Sequence, residues 1–232
     1  ISSYIEEELI DALCCYSAVN QGQLNQTIVD AVVKHLTEEK LPTVPRSIRH
    51  KYMAGFLLAA TGVTGMDRVV PKVAGVEASE LMFKLSRRWG YRVKGIPKNE
   101  AIVVAAKGNF HGRSMTAISL SDDLDAYDDF GPKVPGIELV EYNDINALKS
   151  LFEDKGDRIA SYLVEPIQGE AGVIVPDQDY WTQVATLCKE YNILLAMDEV
   201  QTGFARTGAN FAHQLFGVKP DLMGCGKAAG GG

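Results

Sequence analysis

The chain has 232 residues and a formal net charge of −7, with 46% hydrophobic and 23% charged residues. That length can bury a substantial core, and the composition is that of an ordinary globular protein. The acidic balance argues against a nucleic-acid or anionic-membrane partner, and no apolar run approaches the ~20 residues that span a bilayer. Cys14, Cys15, Cys188 and Cys225 show no metal-ligand spacing and lie in apolar runs. They read as reduced, buried thiols in an intracellular compartment. The histidines, His35, His50, His111 and His213, also lack ligand spacing, so no metal is expected.

Residues 1–15 read as a short amphipathic segment, helical or irregular, that is neither a secretory signal nor an Arg-rich transit peptide. CCYSAVNQG follows as a polar, aromatic loop. Ile28, Val32, Val33 and Leu36 then recur at helical spacing, with Thr27 as a candidate N-cap. Two prolines make 42–50 a loop, and the apolar, alanine-rich 51–63 predicts a buried helix ending near Gly62. A further helix starts at about Val76. Glu77 and Glu80 sit in its first turn and Arg87 and Arg88 late, the order that suits the helix dipole. From residue 101 the pattern alternates. Strands are expected at 101–106, 137–142, 161–166 and 193–200, with helices at 144–154, capped by Asp144, and at 179–192. Loops at 107–117 and 128–136 separate the first two strands. Such alternation predicts an α/β fold with a mostly parallel sheet.

Chemistry concentrates between Leu194 and Lys227. One apolar run ends on Asp198, and a shorter one, PDLMGCG, delivers Lys227. A buried parallel strand opens at its carboxyl end, where ligands of open α/β sheets bind. A carboxylate and an amine held there suit a cofactor with an aldehyde and a ring nitrogen that must stay protonated, which describes pyridoxal phosphate. An isolated Asp198 reads equally as a strand-end cap, and a lone lysine is usually solvated. Small apolar flanks on both sides of Lys227 favour a desolvated amine of lowered pKa.

Other candidates carry two readings each. Gly75, before a helix start, offers free N–H groups to a phosphate or simply begins a helix. Phe110 can stack on a ring, and Arg113 can grip a carboxylate in bidentate fashion. His111 between them fits surface or core. Glu165 ends a strand, Glu170 lies in the next loop, and both fit plain surface carboxylates. Gln201 can donate to a phenolate oxygen or satisfy its own turn.

YSAVNQG, GVEASE, NFHGR, FGPKVPG, VEPIQGEAGV, DEVQTGFARTG and GKAAGGG, in this order, resemble the class III, PLP-dependent aminotransferases. The resemblance runs from about residue 14 to the end. YSAVNQG, VEPIQGEAG and FARTG point to the ornithine-specific branch. The resemblance implies the large domain of a type I PLP-dependent transferase, a mixed, mostly parallel sheet flanked by helices, in an obligate homodimer. It implies that 1–60 belongs to a partial N-terminal segment and 61–232 to the cofactor-binding large domain. In the implied reaction the δ-amino group of L-ornithine passes to 2-oxoglutarate, giving glutamate 5-semialdehyde and L-glutamate, in the mitochondrial matrix or cytoplasm. Lys227 would hold the cofactor as a Schiff base and move the proton. Asp198 would pair with the ring nitrogen, Gln201 would lie near the ring hydroxyl and Phe110 would stack on the ring. The amides of Gly75 and Val76 would approach the phosphate. Tyr16 and Arg113 would recognise substrate, and Glu170 would be the gating glutamate.

The chain departs from the pattern in places. QLNQ (23–26) stands where the family usually has a His-Pro pair, and Ala74 replaces a threonine, removing one hydroxyl contact. The family's SRAFYNN loop is not visible in 42–53. The expectation is a chain cut at both ends, lacking the C-terminal domain with the gate arginine and the threonine that reaches the neighbouring phosphate. Two rivals stand beside the ornithine reading: an ω-aminotransferase for acetylornithine or 4-aminobutyrate, and an inactive fragment or relative.

Overall fold

Five short apolar runs pair into one sheet in the computed structural model, which describes residues 10–40, 42–45 and 47–231. They are β1 (Ile102–Ala106), β2 (Ile137–Val140), β3 (Ile159–Val164), β4 (Leu194–Asp198) and β5 (Leu222–Gly224), in the order β2-β1-β3-β4-β5. All four ladders are parallel. No antiparallel strand of the implied mixed sheet is found among the described residues.

Strand ends differ from expectation for local reasons. β3 begins at Ile159, because Ile159 and Ala160 are fully buried. It stops at Val164, before Glu165 turns its side chain to the loops and Pro166 withholds an N–H from the ladder. β4 ends at Asp198, where the Glu199 carboxylate takes over the following loop.

Side chains alternate across the sheet. Ile102, Val104, Tyr162, Val164, Leu195 and Met197 face the helices Ile145–Lys155 and Tyr180–Glu190, which contribute Leu148, Phe152, Trp181, Val184 and Leu187. As expected, Asp144 caps the first of these, its Oδ1 accepting from the Ala147 N–H at 2.9 Å. The opposite face carries Val103, Ala105, Leu163 and Ala196 against Met82 and Phe83 of the helix Gly75–Trp89. Small residues let that helix lie close: a Cβ on Gly224 would come 2.7 Å from Met82 Cε. Asp198 shares this second face with Ala196, so the strand's alternation aims its carboxylate at the helix start.

The order in which strands are added reverses between β1 and β3, the switch point where a crevice forms at the carboxyl ends of parallel strands. The loops after β1, β3, β4 and β5 all open there.

The N-terminal part is built differently. Residues 14–17 form one turn of left-handed backbone, with φ of 51°, 49°, 55° and 69°. The helix Gln26–Thr37 is capped by Asn25, not Thr27: Asn25 Oδ1 accepts from the Thr27 N–H at 3.1 Å. The helix Met53–Thr64 runs past Gly62 to a left-handed Gly65. It was expected to be buried, yet none of its residues is; Phe56 is 51% and Leu58 74% exposed. Nothing among the described residues covers it. The thiol expectation is half corrected as well. All four cysteines are free, but only Cys188 is buried and Cys15 is exposed. The expected amphipathic start at 1–9 lies outside the described residues.

Candidate active site

A cleft of ≈ 240 Å³ sits at the crevice. Gly75, Val76 and Ser79 line it from the helix start, Phe110, His111 and Gly112 from the loop after β1, and Glu165 from the end of β3. Asp198, Val200, Gln201 and Thr202 line it from β4 and its loop, and Lys227 from the turn after β5. Six predicted residues, Gly75, Val76, Phe110, Asp198, Gln201 and Lys227, thus converge on one space. Three do not line it. Tyr16 is on the left-handed turn and 54% exposed, and Arg113 and Glu170 are exposed on the loops at its rim.

Asp198 is nearly inaccessible and well held. Its Oδ2 accepts from His111 Nδ1 at 2.7 Å, and Ser79 Oγ lies 3.1 Å away. Its Oδ1 accepts from the Val200 N–H at 3.0 Å. A carboxylate has about four lone-pair sites, so this one keeps capacity for a further donor. His111 therefore belongs to the core reading, with its ring fixed by Asp198. Burial pulls the imidazole's pKa down, but the Asp198 hydrogen bond and the charges of Asp198 and Glu165 carry it above the ordinary value. Its Nε2 is buried with no protein partner.

Glu165 is 5% exposed and bridges two loops. Oε2 accepts from the Phe110 N–H at 3.1 Å and Oε1 from the Gly169 N–H at 3.3 Å. Burial is the main force raising its pKa to about 7, opposed by the His111 charge and helped by the Asp198 charge. It is not the surface carboxylate its position in a strand-end loop suggested.

Lys227 is half-buried at φ 47°, a left-handed conformation that costs a non-glycine residue about 1 kcal/mol or more. Burial lowers the amine's pKa, against the pull of the Glu170, Asp198 and Glu165 carboxylates. Its placement depends on glycine. A Cβ on Gly226 would meet Val200 Cγ1 at 3.1 Å and Gly75 Cα at 3.2 Å, and a Cβ on Gly75 would meet Val200 Cγ1 at 2.7 Å. The lysine turn and the helix start therefore pack backbone to backbone. That sets Lys227 in the same cleft as the first-turn N–H groups, which have no intrahelical acceptor. Ala74 at the N-cap has no oxygen to offer. Glu77 Oε2 instead accepts from the Val73 and Ala74 N–H groups at 2.8 and 3.3 Å, leaving Gly75 and Val76 clear.

The residue after Asp198 was missed by sequence reading. Glu199 is fully buried and accepts from the Ala212 N–H (3.0 Å), the His213 N–H (2.8 Å), His213 Nδ1 (2.9 Å) and the Thr202 hydroxyl. It ties 199–202 to 211–213 and so fixes the turn that presents Gln201. The signal was there: a second acid in an apolar run must find donors, and His213 lay in the next segment.

A sequence model of the family described as aminotransferase class-III matches residues 5–232. The chain belongs to the class-III aminotransferases. It is 46% identical over 231 residues to an ornithine aminotransferase of Emericella nidulans, covering 96% of this chain and 50% of that one. The solved ornithine aminotransferase of Toxoplasma gondii, described with partial occupancy of PLP at its active site, superposes with a TM-score of 0.89 at 37% identity. That match covers 94% of this chain and 51% of the other. An acetylornithine aminotransferase from Elizabethkingia anophelis superposes with a TM-score of 0.81 at 43% identity, covering 94% and 53%. This class-III chain thus spans about half the length of the relatives it matches. Its α/β architecture is that of the type I PLP-dependent transferase large domain. No helix among the described residues is long and apolar enough to cross a membrane. Nor do any three His, Cys, Asp or Glu residues among them form a group that would hold a metal ion.

Proposed function

We propose that this chain is the cofactor-binding part of an ornithine aminotransferase that uses pyridoxal phosphate to move the δ-amino group of L-ornithine to 2-oxoglutarate. One observation carries the reading. A desolvated amine, a carboxylate with spare acceptor capacity, an aromatic face and two free helix-start amides line the same cleft. Those groups fit an aldehyde, a ring nitrogen, a ring face and a phosphate. The cofactor, when bound, supplies an aldehyde that condenses with amines and a ring that draws electrons from the carbon bearing the transferred nitrogen.

The chain's residues divide the remaining work. Lys227, with its pKa lowered by burial, is neutral in a larger share of molecules near pH 7 than an exposed lysine is. The neutral amine is the form that attacks a carbonyl and accepts a proton. Asp198, braced by His111 and Ser79, would keep a proton on the ring nitrogen of the bound cofactor. Phe110 would cover a ring face and Gln201 would offer an amide N–H to a ring oxygen. The Gly75 and Val76 N–H groups would hold a phosphate, strengthened by the helix dipole. Tyr16, Arg113 and Glu170, exposed outside the cleft lining, would select the substrate, Arg113 by gripping a carboxylate. Residues 61–232 form the cofactor unit and 1–60 part of an N-terminal segment. A second copy covers the apolar helices Gln26–Thr37 and Met53–Thr64, giving a homodimer. Free cysteines support an intracellular site, the mitochondrial matrix or cytoplasm.

The likeness to an acetylornithine aminotransferase supports a second reading, a related ω-amino donor. An amino-donor panel on the full-length protein separates them. Preference for L-ornithine over N-acetylornithine and 4-aminobutyrate is expected, and equal or better use of either alternative overturns the ornithine assignment.

A further inference from the structure

Among the described residues, the side-chain hydrogen bonds that join the segment carrying Tyr16 to the rest of the site all run through one saturated amide. Asn20 Nδ2 donates to the carbonyl oxygens of Phe204 (2.9 Å) and Gly203 (3.3 Å). Its Oδ1 accepts from Arg206 Nε (3.0 Å) and Nη2 (2.5 Å). Both amide protons and both lone pairs of a half-buried side chain are used, with a partner 186 positions away. An arginine fork that closes on one acceptor loses little freedom per bond, which suits it to hold a fixed geometry.

Each side of this contact is prepared for it. On the loop side, Phe204 and Ala205 lie at φ 55° and 65°, which turns the loop so that two successive carbonyls and the Arg206 stem face Asn20. Phe204 meets Phe211 edge-on with ring centroids 5.3 Å apart, and the Glu199 hydrogen bonds close the same loop beneath. On the other side, the Cys14–Ser17 turn packs on the Lys227–Gly230 turn. Asn20 therefore pins a short strap whose preceding turn rests beside the reactive lysine.

We infer that Asn20 and Arg206 form a latch that sets the position of Tyr16 at the mouth of the cleft and so governs which amino donor is accepted. The donor part of this inference rests on the aminotransferase reading, whereas the latch rests on geometry alone. An amine delivered to Lys227 leaves the donor's far end at the mouth. For a diamino acid, the far end decides which of two amines enters. A strap free to move would still admit an amine but would lose purchase on that far end. The latch residues touch neither substrate nor cofactor, so they are positioning residues, with an effect expected in KM rather than in kcat.

The test uses the full-length holoprotein with N20A, R206A, R206K, N20D and the double variant N20A/R206A. Hydrogen exchange of amides 14–24 is measured alongside donor kinetics, using whichever donor the wild-type panel prefers. In N20A and R206A, exchange at 14–24 should rise while 145–190 stays protected. KM for the donor should rise about tenfold with kcat within about twofold, and discrimination among donors should narrow. R206K should fall between wild type and R206A. N20D keeps the arginine contact but sets a carboxylate against two carbonyls, so it should behave like N20A. The double variant should be no worse than either single one, because both remove the same interaction. Unchanged exchange at 14–24 would overturn the latch even if the protein proves to prefer another donor. Raised exchange with KM and donor preference unchanged would overturn its role in selection.

Discussion

Two apolar regions of this chain meet opposite fates. Strands β1, β3 and β4 are buried almost throughout, since helices cover both faces of the sheet. The helix Met53–Thr64 is also largely apolar, yet no side chain on it is buried, and Leu36 and Val33 of the preceding helix are exposed too. The difference is not composition but partnership. The sheet's complementary surfaces lie within 75–231, whereas Val33, Leu36, Phe56 and Leu58 of the two early helices stay at least half exposed among the described residues. Apolarity says that a surface will be covered and is silent on what covers it.

That contrast orders the expected effects of substitution in the full-length protein. The largest belongs to the cleft. Lys227→Ala should cut transamination by roughly 10³-fold or more, the scale of a lost nucleophile and proton carrier. It should also remove the cofactor's lysine-linked absorption band before any donor is added, and an unchanged band in that variant would refute the role of Lys227. Asp198→Ala should follow at about 10²–10³-fold in kcat with cofactor still bound. Near-normal turnover would show that the ring nitrogen has no need of this carboxylate.

Next comes the loop clamp. Glu199→Ala strands several buried donors and should cost about 3–5 kcal/mol of stability, visible as a drop in Tm and loss of bound cofactor. An unchanged Tm would mean that water replaces the carboxylate and that the clamp does not organise the site.

Glu165 offers a subtler handle through pH. Its carboxyl is raised from the ordinary 4.5 to about 7, chiefly by burial. Between those values the folded protein keeps a proton that the unfolded chain has released. Stability attributable to this group therefore falls as pH rises through the window and levels off above it. Glu165→Gln should flatten that slope, so the variant gains on wild type by up to on the order of 3 kcal/mol from about pH 4.5 to about pH 8. Denaturant unfolding at the two pH values measures it, and parallel slopes would place the titration elsewhere.

The smallest effect falls in the other region. Leu58→Ser on the exposed helix should change the stability of one protomer by no more than about 0.5 kcal/mol. If a second copy covers this helix, the same change should weaken the dimer in sedimentation. An unaffected dimer would remove this face from the interface.

Much of the fold was legible because local rules sufficed. The βα alternation, the Asp144 cap and the charge order of the helix Gly75–Trp89 all follow from spacing and dipole chemistry. Lys227, Asp198, Phe110, Gln201 and Gly75 were legible as candidates because each sits at or just past an element's end, whereas Val76 entered only through the family resemblance. What was illegible depended on distant partners. Thr27 lost the cap to Asn25, a choice made by one backbone torsion. His111 and Glu165 each fitted surface or core until Asp198 and the Phe110 and Gly169 amides were seen to surround them. Glu199 showed only that a buried acid needs donors, and Asn20 gave no local sign of its role, since its Arg206 donor lies 186 residues away.

By itself, then, the sequence determined the α/β class, the strand that ends on Asp198 and the small-residue setting that desolvates Lys227. Those depend on period, propensity and the size of neighbouring side chains, all readable within about ten residues. The tertiary structure alone decided that His111 braces Asp198, that Gly75 and Gly226 must touch, and that Asn20 reaches Arg206. Each is a contact between segments far apart in the chain. Its strength comes from burial and from exact saturation of donors and acceptors, which exist only once the backbone has brought the segments together.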